Sequence, residues 1–121
     1  MNWIIGFTIV TIAGGVLLRA QSSQISPEAA REYLKHGALV IDVRTLAEFS
    51  AGHLPNARNI PLQQIESGEP LPLNDMNQVL LLHCQGGVRS AKATKLLSGM
   101  GFAKVFDLGS YRRAQQIVAA K

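Results

Sequence analysis

The chain reads as an α/β domain, a mostly parallel central sheet flanked by helices, preceded by one N-terminal transmembrane helix. Three observations predict this. Short apolar runs at Ala38–Ile41, Val79–His83 and Lys104–Leu108 have the length and composition of strands buried on both faces. They alternate with segments whose apolar residues recur at helical spacing, which is the pattern of βαβ units. The first residues stand apart: Asn2–Leu18 carries no charge, and all 12 Lys and Arg and all 8 Asp and Glu lie from Arg19 onward.

In a helix the uncharged run spans roughly 26 Å, near the lower limit for a bilayer core. Trp3 suits an interfacial position, and Gly14-Gly15 is tolerated in lipid. A cleaved signal peptide is the second reading. It is disfavoured because no Lys or Arg precedes the run and Leu18-Arg19-Ala20 makes a poor small-residue cleavage site. An apolar helix packed on the domain fits least, because every face of the run is apolar. Arg19, Arg31 and Lys35 follow the span, so the positive-inside rule places the domain in the cytoplasm; signal cleavage would leave it secreted or periplasmic. The expected organisation is a membrane helix over residues 1–19, a linker over 20–25 and one domain over 26–121. A single cysteine makes no internal disulfide and gives no argument for an oxidising compartment. The net charge of +4 is mild and unclustered; it allows a basic face toward anionic lipid and gives no sign of nucleic-acid binding.

Ser26-Pro27-Glu28 opens the first helix of the domain, with serine as N-cap, proline at the first helical position and an acid in the first turn. Ala30, Tyr33 and Leu34 supply its apolar stripe, and Gly37 ends it. The strand Ala38–Ile41 runs into Asp42-Val43-Arg44. Thr45-Leu46-Ala47-Glu48 is a capping box, so a second helix starts at once, and Gly52 closes it. Turn residues follow, with a short extended piece near Ala57–Ile60 and one or two helical turns at Leu62–Glu66. Ser67–Asn77 reads as a loop. After Val79–His83, residues Ser90–Met100 form a helix capped by Gly101, and Lys104–Leu108 is the next strand. Gly109-Ser110 turns into a last helix, Tyr111–Ala120.

Sites in open α/β sheets form beyond the carboxyl ends of the strands. Asp42-Val43-Arg44, the loop after His83 and Gly109-Ser110 all follow strands, so they are expected around one cleft. The loop reads Cys84-Gln85-Gly86-Gly87-Val88-Arg89-Ser90 and holds the only cysteine. Glycines without Cβ atoms let backbone N–H groups turn inward, and a helix start and an arginine add favourable charge. A free thiol, with a pKa near ~8.5, needs such surroundings to ionise at neutral pH. A lone cysteine ending a strand is ordinarily a small buried apolar residue; with these glycines and Arg89 beside it, Cys84 reads as a nucleophile.

Asp42-Val43-Arg44 with Glu48-Phe49, Gly52-His53-Leu54-Pro55, Ala57 and Asn59-Ile60-Pro61, followed by Cys84–Ser90 and Leu108-Gly109, resembles the rhodanese family of sulfurtransferases. The resemblance covers roughly residues 25–120. It departs from the family pattern at Asn56 and Ser110, where glycine is usual, and near Ala114, where tryptophan is. It implies a three-layer domain and a sulfane-sulfur relay. Cys84 would take sulfur from thiosulfate or a persulfide and pass it to an acceptor thiol or cyanide. Cys84 and Arg89 would be catalytic, with Gln85, Gly86, Gly87, Val88 and Ser90 as the substrate-binding loop. No cofactor is implied, and no Cys/His cluster suggests a metal.

Asp42 and Arg44 are expected to shape the cleft, with an Arg44–Glu48 pair at helical spacing the competing reading. His83 is expected to point away from the loop, and His53 to be structural. A cysteine phosphatase is the nearest enzymatic rival, but its loop has five residues between cysteine and arginine. Here Gln85–Val88 makes four, a smaller ring that suits one sulfur atom better than a phosphate. A membrane-tethered binding module without turnover is the rival from another class, and it would need neither Cys84 nor Arg89.

Overall fold

The computed structural model describes residues 24–120. The expected membrane segment lies outside them, and among the described residues no helix is long and apolar enough to cross a membrane. The described elements run α1 (Pro27–Lys35), β1 (Leu39–Asp42), α2 (Leu46–Ala51), β2 (Arg58–Asn59), α3 (Leu62–Glu66), β3 (Leu80–His83), α4 (Val88–Gly99), β4 (Val105–Gly109) and α5 (Tyr111–Ala119). The strands form one sheet of order β2-β1-β3-β4 in which every pair is parallel.

Successive strand residues face opposite sides, so each apolar run feeds two cores. Ile41, Leu80 and Leu82 pack on one face with Ile65 of α3 and Ala93 and Leu97 of α4. Val40, Leu81 and Leu108 pack on the other with Ala30 of α1 and Ala114 and Ile117 of α5. These are the three layers the resemblance implies. Ala114, where the family pattern has a tryptophan, is fully buried in the second core.

Local signals behave as their chemistry requires. The Ser26 hydroxyl accepts from the Ala29 N–H at 3.2 Å, and the Thr45–Glu48 capping box is closed in both directions. Asn56, at the position where glycine is usual, takes φ +61°, a left-handed conformation that asparagine tolerates. The Ser110 hydroxyl accepts from the Arg113 N–H at 3.1 Å and caps α5.

Two features shape the site, a helix that starts earlier than expected and a bulge in the sheet. Helix α4 begins at Val88 and not at Ser90, because Gly87 turns with φ +102° and lets the helix start directly behind the cysteine loop. The β3–β4 ladder shifts register after Leu82, so His83 pairs with Gly109 and Leu108 is the extra residue. Gly109, at φ +90°, supplies the left-handed residue that such a bulge favours. The shift brings the Gly109 carbonyl to the Cys84 N–H at 3.1 Å, which fixes where the cysteine loop leaves the sheet.

Candidate active site

Cys84 continues the alternation of β3 by one residue. It falls on the α4 side with Leu80 and Leu82 and is only 1% exposed. Its sulfur accepts the Gly87 N–H at 2.9 Å, and the Ser90 hydroxyl lies 3.5 Å away. That hydroxyl also bonds the Gly87 carbonyl at 3.2 Å and the Gly109 carbonyl at 3.3 Å. Ser90 is thus a buried brace between the loop, α4 and β4, not a surface contact. An N–H donor and the start of a twelve-residue helix both favour negative charge on the sulfur.

The two glycines of the loop are not equivalent. Gly87 needs its left-handed φ, whereas Gly86 has an ordinary backbone, and a Cβ added there would meet open space. Gly87 is therefore the position of the loop whose backbone conformation itself favours glycine. Gln85 and Val88 are exposed, Val88 to 82%, so the tip of the loop faces solvent above the buried sulfur.

The pairing of the charged residues also differs from expectation. Arg89 lies in the first turn of α4, where a cation opposes the helix dipole. Its guanidinium is held by both oxygens of Glu48, at 2.6 and 3.0 Å. Arg89, with Thr45 as a further donor, holds the Glu48 carboxyl down to about 2. Arg89 is correspondingly raised, chiefly by Glu48 and against the opposing effect of burial.

The expected Arg44–Glu48 pair does not form. Arg44 precedes the Thr45 cap and so is not on the helix, and its backbone N–H and guanidinium both turn back to Asp42. The Arg44–Asp42 contact is 2.8 Å with both side chains buried. Arg44 also donates to Gln85 Oε1 at 3.2 Å and to the Gly52 carbonyl at 2.7 Å, tying the cysteine loop to the turn after α2. The expectation that three strand ends meet is met: Asp42, Arg44, Gln85, Cys84 and Gly109 are joined by direct bonds.

His83 falls on the opposite face from Cys84, as expected, and is fully buried. Its Nδ1 lies 3.1 Å from the Cys84 carbonyl, which can only accept, so Nδ1 carries the proton. Nε2 has no hydrogen-bond partner and sits 3.7 Å from Asp42. The ring meets Tyr111 edge-on at 5.5 Å, and Arg44 lies over the same Tyr111 ring at 4.6 Å. Burial lowers the His83 pKa against the opposing pull of the Cys84 carbonyl and Asp42. His53 stacks on Phe49 at 3.9 Å, in keeping with a structural role.

Tyr111 and Asp107 belong to this constellation and were not singled out by motif. Asp107 is buried at the bulge and accepts the Gly109 N–H at 2.8 Å; burial pushes its carboxyl up, partly offset by Ser90 and that N–H. An acidic residue inside an apolar strand run was the available signal for Asp107. Tyr111, at the start of a helix, offered none.

Comparison with known proteins agrees with this geometry. The family model for the rhodanese-like domain matches residues 26–115. The chain belongs to that family. A probable adenylyltransferase/sulfurtransferase, MoeZ of Mycobacterium tuberculosis, is 33% identical over 99 residues, covering 80% of this chain and 25% of that protein. The chain therefore spans about a quarter of that relative's length. The thiosulfate sulfurtransferase GlpE of Ectopseudomonas mendocina is 29% identical over 89 residues, covering 74% of this chain and 80% of the relative. Among solved structures, the human single-domain sulfurtransferase TSTD1 superposes with a TM-score of 0.66 at 28% identity, covering 82% of this chain and 98% of that one.

Two outcomes follow from the loop and its neighbour. Gly87→Ala must hold a left-handed φ and is expected to lose about 1–2 kcal/mol, whereas Gly86→Ala stays within about 0.5 kcal/mol; urea unfolding midpoints measure both. His83 binds its proton less readily folded than unfolded. Above its ordinary value of 6.5 neither state holds that proton; below it only the unfolded state does, so stability falls as pH drops from 6.5 toward the folded value. The slope is at most about 1.4 kcal/mol per pH unit. Unfolding curves across this window are expected to lose that component in His83→Phe.

Proposed function

We propose that this protein is a sulfurtransferase that carries sulfane sulfur as a Cys84 persulfide. The observation that carries the reading is the Gly87 N–H bonded to the Cys84 sulfur at the head of α4. That geometry favours a thiolate and, after transfer, a second sulfur bearing the charge. The Cys84 thiolate attacks the outer sulfur of a donor, forming an S–S bond while the donor's own S–S bond breaks. The electron pair leaves on sulfite when the donor is thiosulfate, or on a thiolate when it is a persulfide. In the second half, a thiolate or cyanide attacks the terminal sulfur of Cys84–S–S⁻. Persulfide or thiocyanate departs and the Cys84 thiolate returns. Relatives named as thiosulfate sulfurtransferases support the reaction class. Arg89 supplies positive charge near the reacting sulfur, and Ser90 positions the loop.

The uncharged run over residues 2–18 supports a second part of the reading, a single-pass membrane anchor with the domain on the cytoplasmic side.

Mass spectrometry after donor treatment is expected to show one added sulfur on Cys84, and Cys84→Ser is expected to lose transfer by about a thousandfold or more. Equal rates in the two proteins would overturn the assignment. For the anchor, the mass of the mature protein recovered with membranes is expected to include residues 2–18; a shortened soluble chain would make the run a cleaved signal peptide instead.

A further inference from the structure

His83 carries an anomaly that the sulfur relay leaves unexplained. Its Nε2 is the one buried side-chain nitrogen or oxygen among the described residues without a hydrogen-bond partner. Such an atom destabilises a fold, and an apolar ring in its place would not. Burial lowers the His83 pKa and so favours the neutral ring, which has a single N–H. That N–H goes to the Cys84 carbonyl at 3.1 Å. The charged and titratable groups against the ring are Asp42 at the end of β1, Arg44 just beyond it and Tyr111 of α5. None of them bonds Nε2, so the Cys84 carbonyl is the only hydrogen-bond partner of the imidazole among the described residues.

The direction of that bond sets the direction of the next donor along the chain. His83 lies on the α5 side of the sheet, so it draws the Cys84 carbonyl toward that side. No described peptide bond is cis, and in a trans peptide the N–H points opposite to the C=O. The Gln85 N–H is thereby turned to the α4 side, where the Cys84 side chain lies. It has no hydrogen-bond partner among the described residues. The residue is also held from its other end, since the Gln85 carbonyl accepts the Tyr111 N–H at 3.1 Å. The start of the loop is therefore fixed while its first N–H stays open to an anion.

Resting on the sulfurtransferase reading, we infer that His83 is a positioning residue that holds the Cys84–Gln85 peptide so that the Gln85 N–H serves the sulfur. That donor joins the Gly87 N–H, already 2.9 Å from the sulfur, in favouring the thiolate. After transfer it faces the charged terminal sulfur of Cys84–S–S⁻. His83 touches no reacting atom and moves no proton. It acts through the carbonyl alone.

Three substitutions separate positioning from packing. His83→Phe keeps a ring and removes the N–H. His83→Asn carries an N–H two bonds beyond Cβ, as Nδ1 is, whereas His83→Gln carries it three bonds beyond. The pH profile of alkylation by iodoacetamide in the full chain reads the thiol directly, because Cys84 is the only cysteine. His83→Phe is expected to hold about tenfold less thiolate than wild type at neutral pH, the effect of one hydrogen bond to a charged acceptor. His83→Gln is expected to match His83→Phe, and His83→Asn to recover to within about threefold of wild type. A packing role alone would lower the unfolding midpoints and leave the thiol titration of the folded variants where it was. Should His83→Phe fail to fold, the Asn and Gln variants decide by the same comparison. A His83→Phe titration that overlays wild type, or an Asn variant that titrates with the Gln variant, overturns the inference and leaves the Cys84 relay intact. Absence of added sulfur on wild-type Cys84 after thiosulfate treatment overturns the relay, and with it the role of this N–H in sulfur transfer.

Discussion

Burial of strand β3 on both faces is the constraint from which the site takes its form. Leu80, Leu81, Leu82, His83 and Cys84 are all at most 1% exposed, so alternation sends neighbouring side chains into separate layers. Cys84 joins the α4 layer and its hydrogen-bond donors. His83 joins the α5 layer, where it meets Tyr111 and Asp42. Two adjacent residues of one strand therefore do unrelated work. The imidazole cannot serve as a base for the thiol, because the sheet lies between them, but its Nδ1–H braces the Cys84 carbonyl from behind.

Charge is distributed with the same division. The Asp42–Arg44 pair is buried, hydrogen-bonded several times over and joined to the Asn59 amide through the carbonyls of Asp42 and Arg44. Such a pair contributes position more than net stability, since desolvation offsets much of the attraction, yet removing one partner strands a buried charge. The Glu48–Arg89 pair is about one-third exposed at each side chain, so its net energy is small even though its geometry is bidentate. One pair holds the wall of the site; the other joins α2 to the start of α4. Electrostatic favour for the sulfur then comes chiefly from the backbone, through the Gly87 N–H and the start of α4.

Much of the site was legible in residues whose chemistry is local. Thr45 and Glu48 specify a helix start by hydrogen-bonding their own backbone, and the Cys84–Ser90 loop announces itself through its glycines and Arg89. The layers were legible too, because Ala38–Ile41 and Val79–His83 are apolar throughout. The partner of Arg89 was not. Spacing along the chain suggested Arg44 for Glu48, and only the approach of α2 to the loop before α4 brings Arg89, 41 residues away, into bidentate contact. The bulge at Leu108 was equally hidden, since a register shift depends on what the neighbouring strand offers.

The sequence by itself determined the α/β class, the position of Cys84 at a strand end and the helix caps, because each rests on periodicity or on bonds within a few residues. The tertiary structure decided which charge neutralises which, that Ser90 is a brace, and that Gly87 is the glycine of the loop held in a left-handed turn. Those outcomes depend on distances between segments that are far apart in sequence. Packing of both cores against β3 sets those distances, and no local pattern encodes them.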